Sequence, residues 1–264
     1  ALKALGKNAV GSRDQLLQRI SDESPNVRAA TLVALVSIGG QNPELVASLI
    51  AASADESVQV RVNAADAIGK LDPFEDSATE ALLTALSDGE SQVRESAALA
   101  AGRAKVAATA SRLTELMADE NSEVQTQAIV SLGMLGGDAK EAVPALLEML
   151  TVEDVDRRLA VIESLGSIGS SEHQAAKQLR GQLSNEQESV RVAAVVALSQ
   201  VIDEAEQLVP ILIEGLRDSE WSVRRKSADS LGALGEKAIN AVPELLLLLQ
   251  SDDDDDEDLA SDAL

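Results

Sequence analysis

Leucine returns along this chain at a fixed interval. Leu16, Leu49, Leu82, Leu113, Leu146, Leu179, Leu212 and Leu245 are spaced by 33 residues, with one interval of 31. Four residues after each comes a second, mostly apolar column: Ile20, Ser53, Leu86, Met117, Leu150, Leu183, Leu216 and Leu249. A spacing of four puts both columns on one face of a helix. A third column stands 11 residues after each of the first seven leucines, at Val27, Val60, Val93, Val124, Val190 and Val223, with Arg157 once in its place. It opens a second helical stripe, Val27, Thr31 and Leu35 in one unit and Val190, Ala194 and Leu198 in another. Each unit thus predicts helix A, a short turn, helix B and a stop. Neither helix can bury its apolar stripe alone, so units of this length are expected to stack.

The turn carries its own signal. An acidic residue precedes each valine by five positions, at Asp22, Asp55, Asp88, Asp119 and Asp218, softened to Asn185. Such a residue can accept backbone N–H bonds where helix B begins. Arginine follows the valine at Arg28, Arg61, Arg94, Arg191 and Arg224. Two units depart from the pattern: Gln125 replaces the arginine, and Val152 takes the acidic slot before Arg157 and Arg158. Looser stacking is expected near 120 and 158. Pro43, Pro144, Pro210 and Pro243 fall near helix A starts, where a missing N–H costs little. Gly39, Gly69, Gly102, Gly133 and Gly232 follow helix B and predict left-handed stops. Gly133 with Gly136, and Gly232 with Gly235, offer two stops each; helix B ends either at the first or at the second, and in the second case the first glycine is a point of close helix approach.

The pattern fills residues 1–264 as one array of about eight helix pairs. Leu2 to Gly6 matches the end of a helix B, and Ser261 to Leu264 matches Ala65 to Ile68. Both ends are therefore expected inside a helix B, as in a piece of a longer protein. Residues 251–258 fall in the turn of the last unit.

Composition narrows the chemistry. Aromatics are 1%, namely Phe74 and Trp221, so the core must be Leu, Val, Ile and Ala. The net charge of −23, with Asp252 to Asp258 supplying seven negatives, repels phosphate backbones and anionic membranes. Nucleic acid and membrane are therefore not expected partners. Without cysteine there is no thiol catalysis and no Cys-based zinc site. The longest aliphatic run, Leu245 to Leu249, is too short to span a bilayer, and no signal peptide is visible. A soluble, cytoplasmic protein is expected. The single histidine, His173, has no companions for a triad, and the acidic run lacks the central glycine of an EF-hand loop. Nothing calls for a cofactor or a metal, and the chain is expected not to be an enzyme.

The unit Asp-x4-Val-Arg followed by an Ala-rich stretch and Leu-Gly resembles HEAT repeats. Its short period is similar to the phycobilisome-lyase type. That resemblance covers nearly the whole chain. It implies an all-α fold, a right-handed α-solenoid of antiparallel pairs with helix A outside and helix B lining a concave face. It also implies that the turn aspartates and helix B arginines form a ladder joining units, with Asp22/Arg28, Asp55/Arg61, Asp88/Arg94 and Asp218/Arg224 as the matching pairs and Asn185/Arg191 as a softened one. For function it implies a non-catalytic scaffold that binds a protein or peptide on an extended surface, or alternatively a bilin lyase or chromophore-handling protein. Iron hydroxylases of HEAT type need several His-Glu pairs, and here one His precedes Gln174. Alkylpurine glycosylases of this kind need a basic groove, and the charge opposes that.

The exposed side of helix B is the candidate partner surface. Positions two and six after the valine slot include Val33, Val62, Leu99, Val130, Leu159, Val192, Val196 and Arg225. Curvature would bury them against neighbouring units; otherwise they form a shallow apolar groove. Trp221 reads either as a binding hot spot or as cover for the next repeat.

Overall fold

The computed structural model describes residues 13–38, 43–72, 74, 76–169, 173–249 and 260–263, and among them every regular element is helical. The pairs follow in chain order. The first is α1 (Arg13–Leu17), carried by a 3-10 turn to Ser21, with α2 (Pro25–Ile38). Next come α3 (Pro43–Ala52) with α4 (Val58–Ile68), α5 (Thr79–Ala85) with α6 (Ser91–Arg103), and α7 (Ala110–Leu116) with α8 (Ser122–Leu135). Then come α9 (Val143–Glu148) with α10 (Val155–Ile168), α11 (His173–Gly181) with α12 (Glu188–Val201), and α13 (Ala205–Gly215) with α14 (Trp221–Leu234). An eighth pair opens with α15 (Val242–Leu248), and 260–263 are helical. Odd numbers are helix A, even numbers helix B, and successive helices pack as antiparallel pairs. The chain forms two compact units, Ala1–Glu141 and Ala142–Leu264. In sequence, that boundary lies between Gln125 and Val152, the two departures from the repeat. Leu2 to Gly6, Gly39, the acidic run 252–258 and the side chain of His173 lie outside the described residues.

The leucine column is the core. All eight leucines are buried, Leu16 the least so at 7% exposure. Val60, Val93, Val124, Val190 and Val223 are buried against them, whereas Val27 is exposed. With almost no aromatic bulk available, the helices close the remaining space by approaching each other. Ala97, Ala98, Ala100 and Ala101 of α6 are all buried.

Two glycine columns serve different ends. Gly69, Gly102, Gly166 and Gly232 stand nine residues after the valine slot, at helix–helix contacts. A Cβ on Gly69 would lie 2.5 Å from the Ala100 Cα, and one on Gly102 would lie 3.0 Å from the Ser131 Cα. The predicted left-handed stop does not occur at these two positions. Gly69 caps α4 with φ −66°, and Gly102 lies within α6. What they provide is close approach. The stops stand three residues later, where Gly136, Gly169 and Gly235 have φ of 59°, 63° and 54°. Where two glycines were available, as at Gly133 with Gly136 and Gly232 with Gly235, helix B ends at the second.

The same stop position in the third unit holds Lys105, with φ 52°. Here the connection from helix B to helix A is two residues shorter than elsewhere: Gly102 to Leu113 is 11 residues, where Gly69 to Leu82 is 13. The Val106 amide closes the helix end on the Ala101 carbonyl, as in a Schellman motif. Lysine bears the left-handed strain that glycine avoids. Pro210 also departs from expectation. It shares a register with Pro144 and Pro243 but lies inside α13, which begins five residues earlier at Ala205.

Lys105→Gly is expected to raise stability by about 1 kcal/mol, since it removes that strain. Gly69→Ala is expected to lower it by roughly 1–3 kcal/mol, because Ala100 must move. Urea unfolding midpoints check both. Equal midpoints for Gly69→Ala and the parent would mean that the helices are not held at contact there.

Candidate protein-binding surface

The turn aspartate and the helix B arginine set how one pair stacks on the next. Arg28 donates from Nε and Nη2 to the two carboxylate oxygens of Asp55 at 2.8 and 2.7 Å. Its Nη1 reaches the carbonyls of Asp22 and Glu23, in its own turn. Arg61 treats Asp88 and its own turn in the same way, as do Arg94 with Asp119 and Arg191 with Asp218. Each arginine thus joins its own turn to the aspartate of the following unit, 27 residues on, not to the aspartate six residues back. In the shortened third unit the interval is 25, and both bonds remain at 2.7 Å. The aspartate has a second task, for one carboxylate oxygen accepts the amide two residues ahead: Ser57, Glu90, Asn121 and Glu220 in turn. Asn185 accepts the Gln187 amide in the same way. At the two departures the local half of this role is kept. Gln125 donates to the Asp119 carbonyl, and Arg158 to that of Val152. Arg224 holds the carbonyls of Asp218 and Ser219.

These contacts shift the carboxyls together. The Arg28 hydrogen bond holds Asp55 below the ordinary aspartate range, and the Arg94 bond does the same for Asp119. Burial pushes Asp88 and Asp218 up, but arginine and amide bonds outweigh it and leave both lowered.

The eight candidate positions all stand on helix B. In the first unit Val33, Val62, Leu99 and Val130 lie on α2, α4, α6 and α8; in the second, Leu159 lies on α10 and Val192 and Val196 on α12. All seven are half-buried: neighbouring helices cover part of each side chain and leave part accessible. Arg225 on α14 is exposed. Polar ties that the apolar pattern does not reveal run along this side. Asn63 Nδ2 donates to the Ala29 carbonyl and Ser96 Oγ to that of Val62, each 34 residues back at 3.1 Å. A small polar residue three places after the valine is their only sequence mark. Arg103 meets Asp66 at 3.5 Å. Trp221 is 38% exposed, so part of its side chain is accessible and the larger part is covered. Among the described residues no three His, Cys, Asp or Glu side chains gather where they could hold a metal, and no described helix is long and apolar enough to cross a membrane.

A family model of HEAT repeats matches residues 13–94, 46–133, 79–166, 113–199 and 176–264. Among curated proteins none matches significantly. Three of the solved structures that resemble the chain are the following. The complex of CpcE and CpcF of phycocyanin lyase from Nostoc sp. PCC7120 is 25% identical, with TM-score 0.53, over 86% of this chain and 96% of that one. An engineered protein is 21% identical, with TM-score 0.63, over 99% and 79%. The Escherichia coli protein YibA is 20% identical, with TM-score 0.63, over 95% and 90%. The last two speak for the fold alone.

The ladder predicts a pH response. A carboxyl held below its unfolded-state pKa favours folding wherever it is ionised. That stabilisation is complete above the ordinary aspartate value of about 3.9 and is lost as pH falls below it, through the lowered folded values. The urea midpoint is expected to drop over this range, and Asp119→Asn is expected to flatten the drop. A parent curve that stays level down to about pH 2 would contradict the assignment.

Proposed function

Since the chain belongs to the HEAT-repeat family, we propose that it is a protein-holding subunit serving a chromophore-lyase type of assembly. The observation that carries this reading is the likeness to the phycocyanin lyase complex, which spans nearly the full length of both chains. The half-buried apolar positions of helix B supply the means. Each has surface left to give to a partner, and the ladder holds it at a fixed height. The chain's own part is non-catalytic. It presents a protein acceptor, and the chemistry belongs elsewhere in the assembly. A tetrapyrrole pocket usually draws on aromatic and histidine contacts, and this sequence holds Phe74, Trp221 and His173 alone of those types. The proposed partner is therefore a protein, neither nucleic acid nor membrane.

The test is capture of an apo-phycobiliprotein by the immobilised chain, followed by addition of free bilin. Capture is expected, and bilin absorbance is expected to change faster in the captured complex than with the apo-protein alone. Val130→Glu with Val196→Glu is expected to reduce capture at least about tenfold, since it places charge in both apolar surfaces. Absence of capture would remove the chromophore reading. Capture that survives both substitutions would remove the helix B surface.

A further inference from the structure

On the helix B side of the second unit, the register sets Leu159, Val192 and Arg225 in one column, with Val196 one turn beyond Val192. One turn before Arg225 stands Trp221, the single tryptophan of the chain. The Arg225 guanidinium carbon lies 5.0 Å from the centre of the Trp221 ring, within cation–π range. Arg225 differs from the arginines around it. Arg191 is bound by Asp218, Arg180 by Glu214, Arg217 by Glu244, and Arg224 holds two carbonyls. Arg225 meets no carboxylate and no carbonyl among the described residues; its contact is the ring. Its nearest carboxylate in register is Asp229, one turn on along α14, and no ion pair joins the two among the described residues.

We propose that the Trp221–Arg225 pair is the polar anchor of the partner surface and takes one carboxylate set among aliphatic side chains, an Asp or Glu in an otherwise apolar segment of a partner protein. This rests on the helix B reading above. The ring holds the guanidinium by its face, so the donors on its edge stay free for a two-point bond to a carboxylate. Leu159, Val192 and Val196 offer half-buried contacts to the aliphatic neighbours. Glu188, on the neighbouring helix at the register of Trp221, is engaged by the Ser222 hydroxyl from the same helix as Arg225. Glu163 and Asp229 are exposed one turn beyond Leu159 and Arg225 and repel a second acid. A segment with one acidic residue is therefore accepted in a single orientation, and a generally acidic one is turned away.

Two labelled 12-residue helical peptides test this. Both carry leucines on one face, and they differ only in a central Glu or Lys. Binding is read by anisotropy of the label and by Trp221 emission. The Glu peptide is expected to bind about tenfold more tightly than the Lys peptide. Arg225→Gln is expected to bring the two within about twofold, and Arg225→Lys to restore part of the preference, since it returns charge without the planar fork. Unchanged circular dichroism in both variants shows that the fold is kept. Equal binding of the peptides to the parent chain, no binding of either at about 1 mM, or a preference that survives Arg225→Gln would each overturn the proposal. If the chain captures the apo-phycobiliprotein while the peptides show no Glu preference, the anchor fails and the function stands. The reverse pattern keeps the anchor and removes the chromophore role.

Discussion

The stacking of this protein depends on a guanidinium that cannot be satisfied inside its own unit. Nη1 of each ladder arginine is taken by its own turn's carbonyls, which aims the Nε edge outward. The carboxylate it meets belongs to the next unit, and that carboxylate also ties down the start of the next helix B. One bidentate pair thereby fixes the turn, the helix start and the spacing between units. In the first unit the pairs are largely shielded, with side chains of Arg94 and Asp119 at 8% and 7% exposure, so they are strong and geometrically demanding. Removing either partner would leave a desolvated charge behind.

Around this frame the core is made of small parts. Leucines fill the space between helices A and B, while alanine and glycine let neighbouring B helices touch. Close contact is what leaves the outer helix B valines only half covered. Larger core residues would spread the helices and expose them; further curvature would hide them. The surface proposed for a partner is in this sense a by-product of core size.

Much of this was legible in the sequence, because the period is long and repeated. The leucine column named its own buried positions, and Asp and Arg at fixed places announced a ladder. The pairing partner was less legible, since nearness in sequence favours Asp22 with Arg28 while the turn geometry sends Arg28 to Asp55. Glycine misled in a similar way. One letter serves two physical needs, close approach at Gly69 and Gly102 and a positive-φ stop at Gly136, and where a unit has a single glycine only backbone geometry separates them. Lys105 was invisible because nothing about a lysine suggests positive φ. The shortened interval around it was the available clue. Asn63 and Ser96 escaped notice because their partners are backbone carbonyls, which leave no mark in sequence.

The reach of the ladder arginines into the next unit, 27 residues for Arg28, Arg61 and Arg191, also says how such a gene can grow. Copying any whole stretch of one period delivers a new arginine and a new acceptor together, wherever the cut falls. Losing part of a period strands one of them, unless the missing residues come from a connection, as around Lys105. Length can therefore change by duplication without redesign of any contact, and selection on the joint alone keeps the copies in phase.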